Sequence, residues 1–279
     1  MAEKKLTSID IESYTVISTG INVLLSIIMS IIIVGLFAVA VPNSIGVMAY
    51  LIPTIIFGTM ISNIFLAFTE GYLYNILSSK FGFIKLDIDE EYIKKISTRE
   101  TALIVGCISL IITLIIYLAF SLIIPLFLSS LMTILMYGSQ TNLAAALYQI
   151  MFLISNPLFI AIGILGSVII VTVFTLLATY IYNILASSER GILVKLTTED
   201  KFTQLESITP FNFAIAIGAI CLILNIILGI ILVISGVPIF NALVDILMSF
   251  VTGFISSYII AVFYNFLAPK LGKLKVELN

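Results

Sequence analysis

Histidine is absent from the 279 residues, cysteine occurs only at Cys107 and Cys221, and charged side chains make up 10% of the chain. Each shortage closes off a class of function. Without imidazole there is no histidine base or acid, and the membrane metalloproteases and rhomboid-like hydrolases, which need histidine, are excluded. Both cysteines sit inside apolar runs, so a His/Cys metal cluster is ruled out and the thiols read as buried and inert. A net charge of −2 without a basic, aromatic-interleaved patch argues against nucleic acid as a partner. Nucleophile-elbow, P-loop and dinucleotide glycine motifs are missing too. No enzyme activity and no cofactor are expected.

Hydrocarbon is what the chain has in abundance. Hydrophobic residues reach 61%, whereas a soluble domain is about 45–50% apolar and about 25% charged. The apolar residues fall in runs longer than the roughly 20 residues that cross a ~30 Å hydrocarbon core. The expected fold class is therefore an all-α integral membrane protein of six transmembrane helices. Spans are expected at Tyr14 to Val41, Pro53 to Ser79, Thr101 to Ile124, Pro157 to Ser187, Pro210 to Ile234 and Phe240 to Leu267. Residues 125–155, broken by Pro125 and by Tyr137-Gly138-Ser139-Gln140, read as an extension of the third helix followed by a short interfacial helix on the outer side, or else as a further hairpin.

Charge placement sets the orientation. All 13 lysines and arginines fall on one side of a six-span chain: Lys4 and Lys5; Lys80, Lys85, Lys94, Lys95 and Arg99; Arg190, Lys195 and Lys201; Lys270, Lys273 and Lys275. The linkers near Pro42, Gly138 and Pro238 carry none. Positively charged flanks stay in the cytoplasm, so the expectation is a multi-pass protein of the cytoplasmic membrane with both termini inside. The first apolar run is too long for the 7–15-residue core of a cleaved signal.

Self-comparison exposes a triplication. The even-numbered spans close with YNILSSKFGFIKLDI from Tyr74, YNILASSERGILVKL from Tyr182 and YNFLAPKLGKLKVEL from Tyr264. The odd spans open on a polar segment containing Ile9, Ile96 or Ile208, followed ten or eleven residues later by Gly20, Gly106 or Gly218. Three segments follow, 1–90, 91–198 and 199–279, each holding one helix pair. After Gly82, Gly191 and Gly272 the residues alternate apolar and polar with period two, as in Ile84-Lys85-Leu86-Asp87-Ile88, which reads as a short cytoplasmic strand or as a loose amphipathic linker. The three glycines would supply the positive φ that turns a helix into a strand. Strand, helix, helix, strand is then the repeating order, with the opening and closing segments pairing.

These motifs resemble an uncharacterised two-helix transmembrane domain of archaea and bacteria, a domain without established activity. Its pattern is an opening like RIDPxS, a glycine in the first helix and a close like YNxxAxxxGGIxVxL. The matching positions are Thr7 to Ser13 and Ser207 to Pro210, then Tyr74, Asn75 and Gly82; Tyr182, Asn183, Ala186 and Gly191; Tyr264, Asn265, Ala268 and Gly272. The chain departs from it in having Gly82-Phe83, Gly191-Ile192 and Gly272-Lys273 in place of Gly-Gly, and one extra residue before Gly191.

Candidate functional residues lie on the even spans. Stepping back by fours from the shared asparagine gives Gly71, Ala67, Asn63 and Thr59; Thr179, Thr175, Val171 and Ser167; Ala261, Ser257, Gly253 and Ser249. Small residues at this spacing serve close helix packing in lipid, or line a polar seam between the units. Asp245 falls one step further on, facing protein, and Glu70 lies deeper without a basic residue in its span. Intramembrane carboxylates are candidate ion or proton sites. Tyr74, Tyr182 and Tyr264 fall where an aromatic belt is expected, and Asn75, Asn183 and Asn265 need partners at an adjacent helix end or the following strand. The expected role is structural, in association with membrane lipid, a protein partner or further copies of the chain. The alternative is a small-solute, cation or proton transporter or channel using Glu70 and Asp245.

Overall fold

The computed structural model describes residues 2–40, 50–137, 141–187, 191–199 and 201–279. The expected features at Val41, Pro42, Gly138 to Gln140 and Arg190 lie outside the described residues. The elements are β1 (Ala2–Ile9), α1 (Ile11–Ala40), α2 (Leu51–Phe81), β2 (Ile84–Asp89), β3 (Tyr92–Ile96), α3 (Thr98–Tyr137), α4 (Thr141–Ser155), α5 (Pro157–Leu185), β4 (Ile192–Glu199), β5 (Phe202–Ile208), α6 (Pro210–Ile234), α7 (Ile239–Leu271) and β6 (Lys275–Leu278). Six helices are long and apolar enough to cross a membrane, within Ile11–Leu36, Leu51–Phe81, Thr98–Leu118, Pro157–Leu185, Pro210–Ile234 and Ile239–Leu271.

The chain is mainly helical, as expected, but an all-α description is incomplete. The six strands form one closed antiparallel barrel in chain order, β1 through β6 and back to β1. The opening and closing strands of each helix pair meet, with Leu6 opposite Ile84, Ile93 opposite Ile192, and Gln204 opposite Lys275. The two intervening hairpins pair as well, through Leu86 with Ile96 and Val194 with Ile208. The last seam joins β6 to β1, with Leu278 opposite Leu6 and Val276 opposite Ile9. Closure leaves no strand edge to be solvated or to recruit another chain. Three register shifts, between Leu6 and Ser8, Asp87 and Ile88, and Lys195 and Leu196, bend the strands in the manner of β-bulges.

Helix starts follow from local chemistry. The Asp10 carboxylate accepts the Ser13 backbone N–H at 2.9 Å and so satisfies one of the donors that a helix N-terminus leaves unpaired. Asn156 does the same for Leu158 at 3.0 Å, with Pro157 at the first helical position, where its missing N–H costs nothing. At the other end, Gly82 and Gly272 take φ of +97° and +104°, a region nearly closed to side-chain-bearing residues. Gly191 is demanded by space instead: a Cβ there would lie 2.7 Å from the Ile93 carbonyl oxygen.

The chain divides into two compact units, Met1–Thr101 with Thr175–Asn279, and Ala102–Phe174. The first holds the barrel, α1, α2, α6, α7 and the barrel-side ends of α3 and α5. In it α5 packs on α6 through Ile181, Tyr182 and Ala186 against Ala216 and Ile220. Likewise α7 packs on α1 through Tyr264, Leu267 and Ala268 against Ile17. The second unit contains most of α3, which continues through Pro125, together with α4 and the start of α5. Inside it Gly106 faces Thr172 so closely that an added Cβ would stand 2.3 Å from the threonine hydroxyl.

Ion pairs brace the strands and their flanks. Lys273 bonds Glu206, which also accepts the Thr197 hydroxyl at 2.6 Å. The hydrogen bond from Lys273, then that from Thr197, holds the Glu206 carboxyl below its ordinary 4.5. A depressed carboxyl pKa contributes stability that is fully present above 4.5 and is lost as the pH falls below it. Glu206→Gln should therefore be less stable than the parent above pH 4.5 and should flatten the stability profile below it, as followed by circular dichroism.

Candidate functional site

The tyrosine–asparagine pairs make one arrangement three times over, at the junction of helix end and barrel rim. Each asparagine is two-pronged. The Asn75 Oδ1 accepts the Ile9 N–H at 2.8 Å while its Nδ2 donates to the Ile9 carbonyl at 2.9 Å. Asn183 does this to Ile96 at 2.8 Å in both directions, and its Nδ2 also reaches the Thr98 hydroxyl at 3.2 Å. Asn265 holds Ile208 at 2.9 and 2.7 Å. A carboxamide carries the donor and acceptor of a peptide group, so it stands in for a strand neighbour at the last residue of β1, β3 and β5. The partner is the opening strand, not the closing one that lies next in sequence.

The tyrosines are buried rather than turned to headgroups, at 5%, 3% and 3% exposure for Tyr74, Tyr182 and Tyr264. Their hydroxyls donate to the carbonyls of Leu6, Ile93 and Leu205, in the first case at 2.7 Å. Tyr182 and Tyr264 also accept the N–H of Ile192 and Leu274, at 3.2 and 3.3 Å. One phenol thereby ties the opening strand to the closing strand at the rim. The barrel covers the helix ends, which is why the rings face protein instead of lipid.

Glu70 is half-buried and accepts the hydroxyl of Tyr14 on α1 at 2.7 Å. Its partner is thus a phenol 56 residues away, next to the close contact of Gly71 with Tyr14 and Ile11. Asp245 is exposed and makes no ion pair or hydrogen bond among the described residues. It lines a groove of about 300 Å³ between α6 and α7 with Asn225, Gly229, Ser249 and Thr252. Glu70 is not among its lining residues, so the two carboxylates share no cavity there. In the first and third copies the stripe meets the paired helix, where Asn63 Nδ2 donates to the Ser18 and Thr19 hydroxyls at 3.2 and 3.3 Å and Gly253 approaches Cys221 and the Gly218 backbone; Ala67, Ala261, Ser257 and Thr179 are buried. Among the described residues no group of His, Cys, Asp or Glu is placed to hold a metal ion.

Comparison of the chain with protein-family models, with curated proteins and with solved structures finds no match.

Proposed function

We propose that this is a structural, partner- or lipid-associating protein of the cytoplasmic membrane, without enzymatic activity. It is built from three copies of one two-helix unit, with the barrel and both termini in the cytoplasm. The observation that carries this reading is where the recurrent polar side chains go. All three tyrosines and all three asparagines are engaged in fastening helix ends to strands, which serves rigidity and not passage. The likeness of the three closing motifs to the uncharacterised prokaryotic two-helix domain supports the same architecture for each copy.

Orientation is checked by labelling. In a background without Cys107 and Cys221, a cysteine at exposed Ser235, in the α6–α7 turn, should react with an impermeant maleimide added outside intact cells. One at Lys201, in the β4–β5 turn, should react only after the membrane is opened. Reaction of both from outside would sink the orientation. The transporter alternative has its own readout: purified chain in vesicles should pass no cations or protons beyond protein-free vesicles. Flux that Glu70→Gln abolishes while the protein stays folded would overturn the structural reading.

A further inference from the structure

The groove beside Asp245 has a composition that selects its occupant. The hydroxyls of Ser249 and Thr252 have their only donor engaged with a helix carbonyl, and Asn225 has one of its two N–H groups so engaged. Asn225 Nδ2 donates to Cys221 O at 3.0 Å, Ser249 Oγ to Ile246 O at 2.7 Å, and Thr252 Oγ1 to Met248 O at 2.8 Å. What these groups have left to offer is mostly lone pairs, on the Asn225 carboxamide oxygen and two hydroxyls, against a single Asn225 N–H, next to a carboxylate that has no partner among the described residues. A site of acceptors around a negative charge calls for a cation rich in N–H donors. Met248, Leu228 and Leu232 complete the wall, so the cation belongs to an amphiphile.

Depth points the same way. Asp245 precedes Asn265, which is fixed to the barrel rim, by 20 residues of α7, or about 30 Å at 1.5 Å per residue. That is one hydrocarbon thickness. The carboxylate therefore stands at the headgroup level of the leaflet opposite the barrel.

We infer that this groove binds the primary ammonium headgroup of a phospholipid such as phosphatidylethanolamine, in the leaflet remote from the barrel. This deepens the lipid association proposed above and rests on its membrane placement. A trimethylated headgroup has no N–H to give, and no aromatic ring lines the groove to receive it by cation–π contact, so phosphatidylcholine should be refused.

The test uses the full chain in nanodiscs made from equal parts of phosphatidylethanolamine and phosphatidylcholine with identical acyl chains, followed by extraction and native mass spectrometry of the retained lipid. About a tenfold preference for phosphatidylethanolamine is expected, the size of one charge-assisted hydrogen-bond set. It should fall to near parity in Asp245→Asn and be partly kept in Ser249→Ala. Mono- and dimethylated headgroups should fall in between, in order of N–H count. Equal retention of both lipids by the parent, an unchanged preference in Asp245→Asn, or displacement of the lipid by sodium at physiological concentration would each overturn the assignment. Far-ultraviolet circular dichroism and the maleimide pattern at Lys201 are recorded on the same samples. Lost preference with an unchanged fold and pattern bears on the groove alone, whereas a reversed pattern bears on the orientation.

Discussion

Replacing Asn183 by alanine is expected to lower the unfolding free energy in detergent by about 2–5 kcal/mol. Two backbone groups of Ile96 lose their partner at once, and each polar group left unsatisfied in a half-buried place costs about 1–3 kcal/mol. Truncation also leaves the space of the carboxamide empty, on a residue whose neighbours Tyr182 and Ala186 belong to a buried cluster. Asn75→Ala and Asn265→Ala should behave alike, because Ile9 and Ile208 are held by the same pair of bonds. Tyr182→Phe keeps the ring and removes only the hydroxyl, so its cost should be the smaller, about 1–3 kcal/mol. Reversible unfolding in mixed detergent micelles gives these numbers. A change below about 0.5 kcal/mol in Asn183→Ala would mean that water satisfies Ile96 equally well.

The second large effect belongs to Gly191→Ala. Its Cβ would collide with a carbonyl oxygen, at 2.7 Å from Ile93 O, and a backbone atom in a closed barrel has little room to retreat. The β3–β4 seam that would have to yield is short, pairing Tyr92 with Leu193 and Ile93 with Ile192. A loss of about 2–4 kcal/mol is expected, in the range of overpacking and broken backbone pairing. Gly58 provides the contrast within α2: nothing lies within 4 Å of its Cβ position, so the same substitution should be neutral or stabilise by up to about 1 kcal/mol through helix propensity. Opposite signs from one chemical change, measured by the same unfolding curves, would separate steric exclusion from propensity. Equal signs would refute it.

The helices were legible because apolar length is a one-dimensional property: the expected spans Pro157 to Ser187 and Pro210 to Ile234 lie close to α5 and α6. The strands were legible too, since Ile84 to Ile88 alternate over five residues. Their closure into a barrel was not, because it depends on pairings such as Leu6 with Leu278 across nearly the whole chain and on bulges that no local pattern announces. The tyrosines read as a belt because a helix end rich in lysine looks the same from sequence whether lipid or a barrel covers it. Glu70 has no basic partner in its own span, and its bond comes instead from the hydroxyl of Tyr14 on α1, which sequence proximity does not reveal.

Counting in fours puts Asp245 on the protein face, whereas it is exposed. Each such step overshoots a 3.6-residue turn by about 40°, and five steps from Asn265 accumulate about 200°. Near that end of α7 the contact with α6 passes through Ala242 and Ile246 against Gly229, so Asp245 falls beside the seam and becomes exposed.

The seam between β6 and β1 has a temporal meaning. β1 is made first and its partner last, with six spans threaded between them, so the sheet keeps an open edge on β1 until everything else has been placed. An odd number of helices left out of the bilayer would deliver β6 to the opposite side from β1, and the ring of hydrogen bonds would never form. Closure is thus conditional on how the helices between the two strands have inserted. A molecule in which it fails displays unpaired backbone along β1.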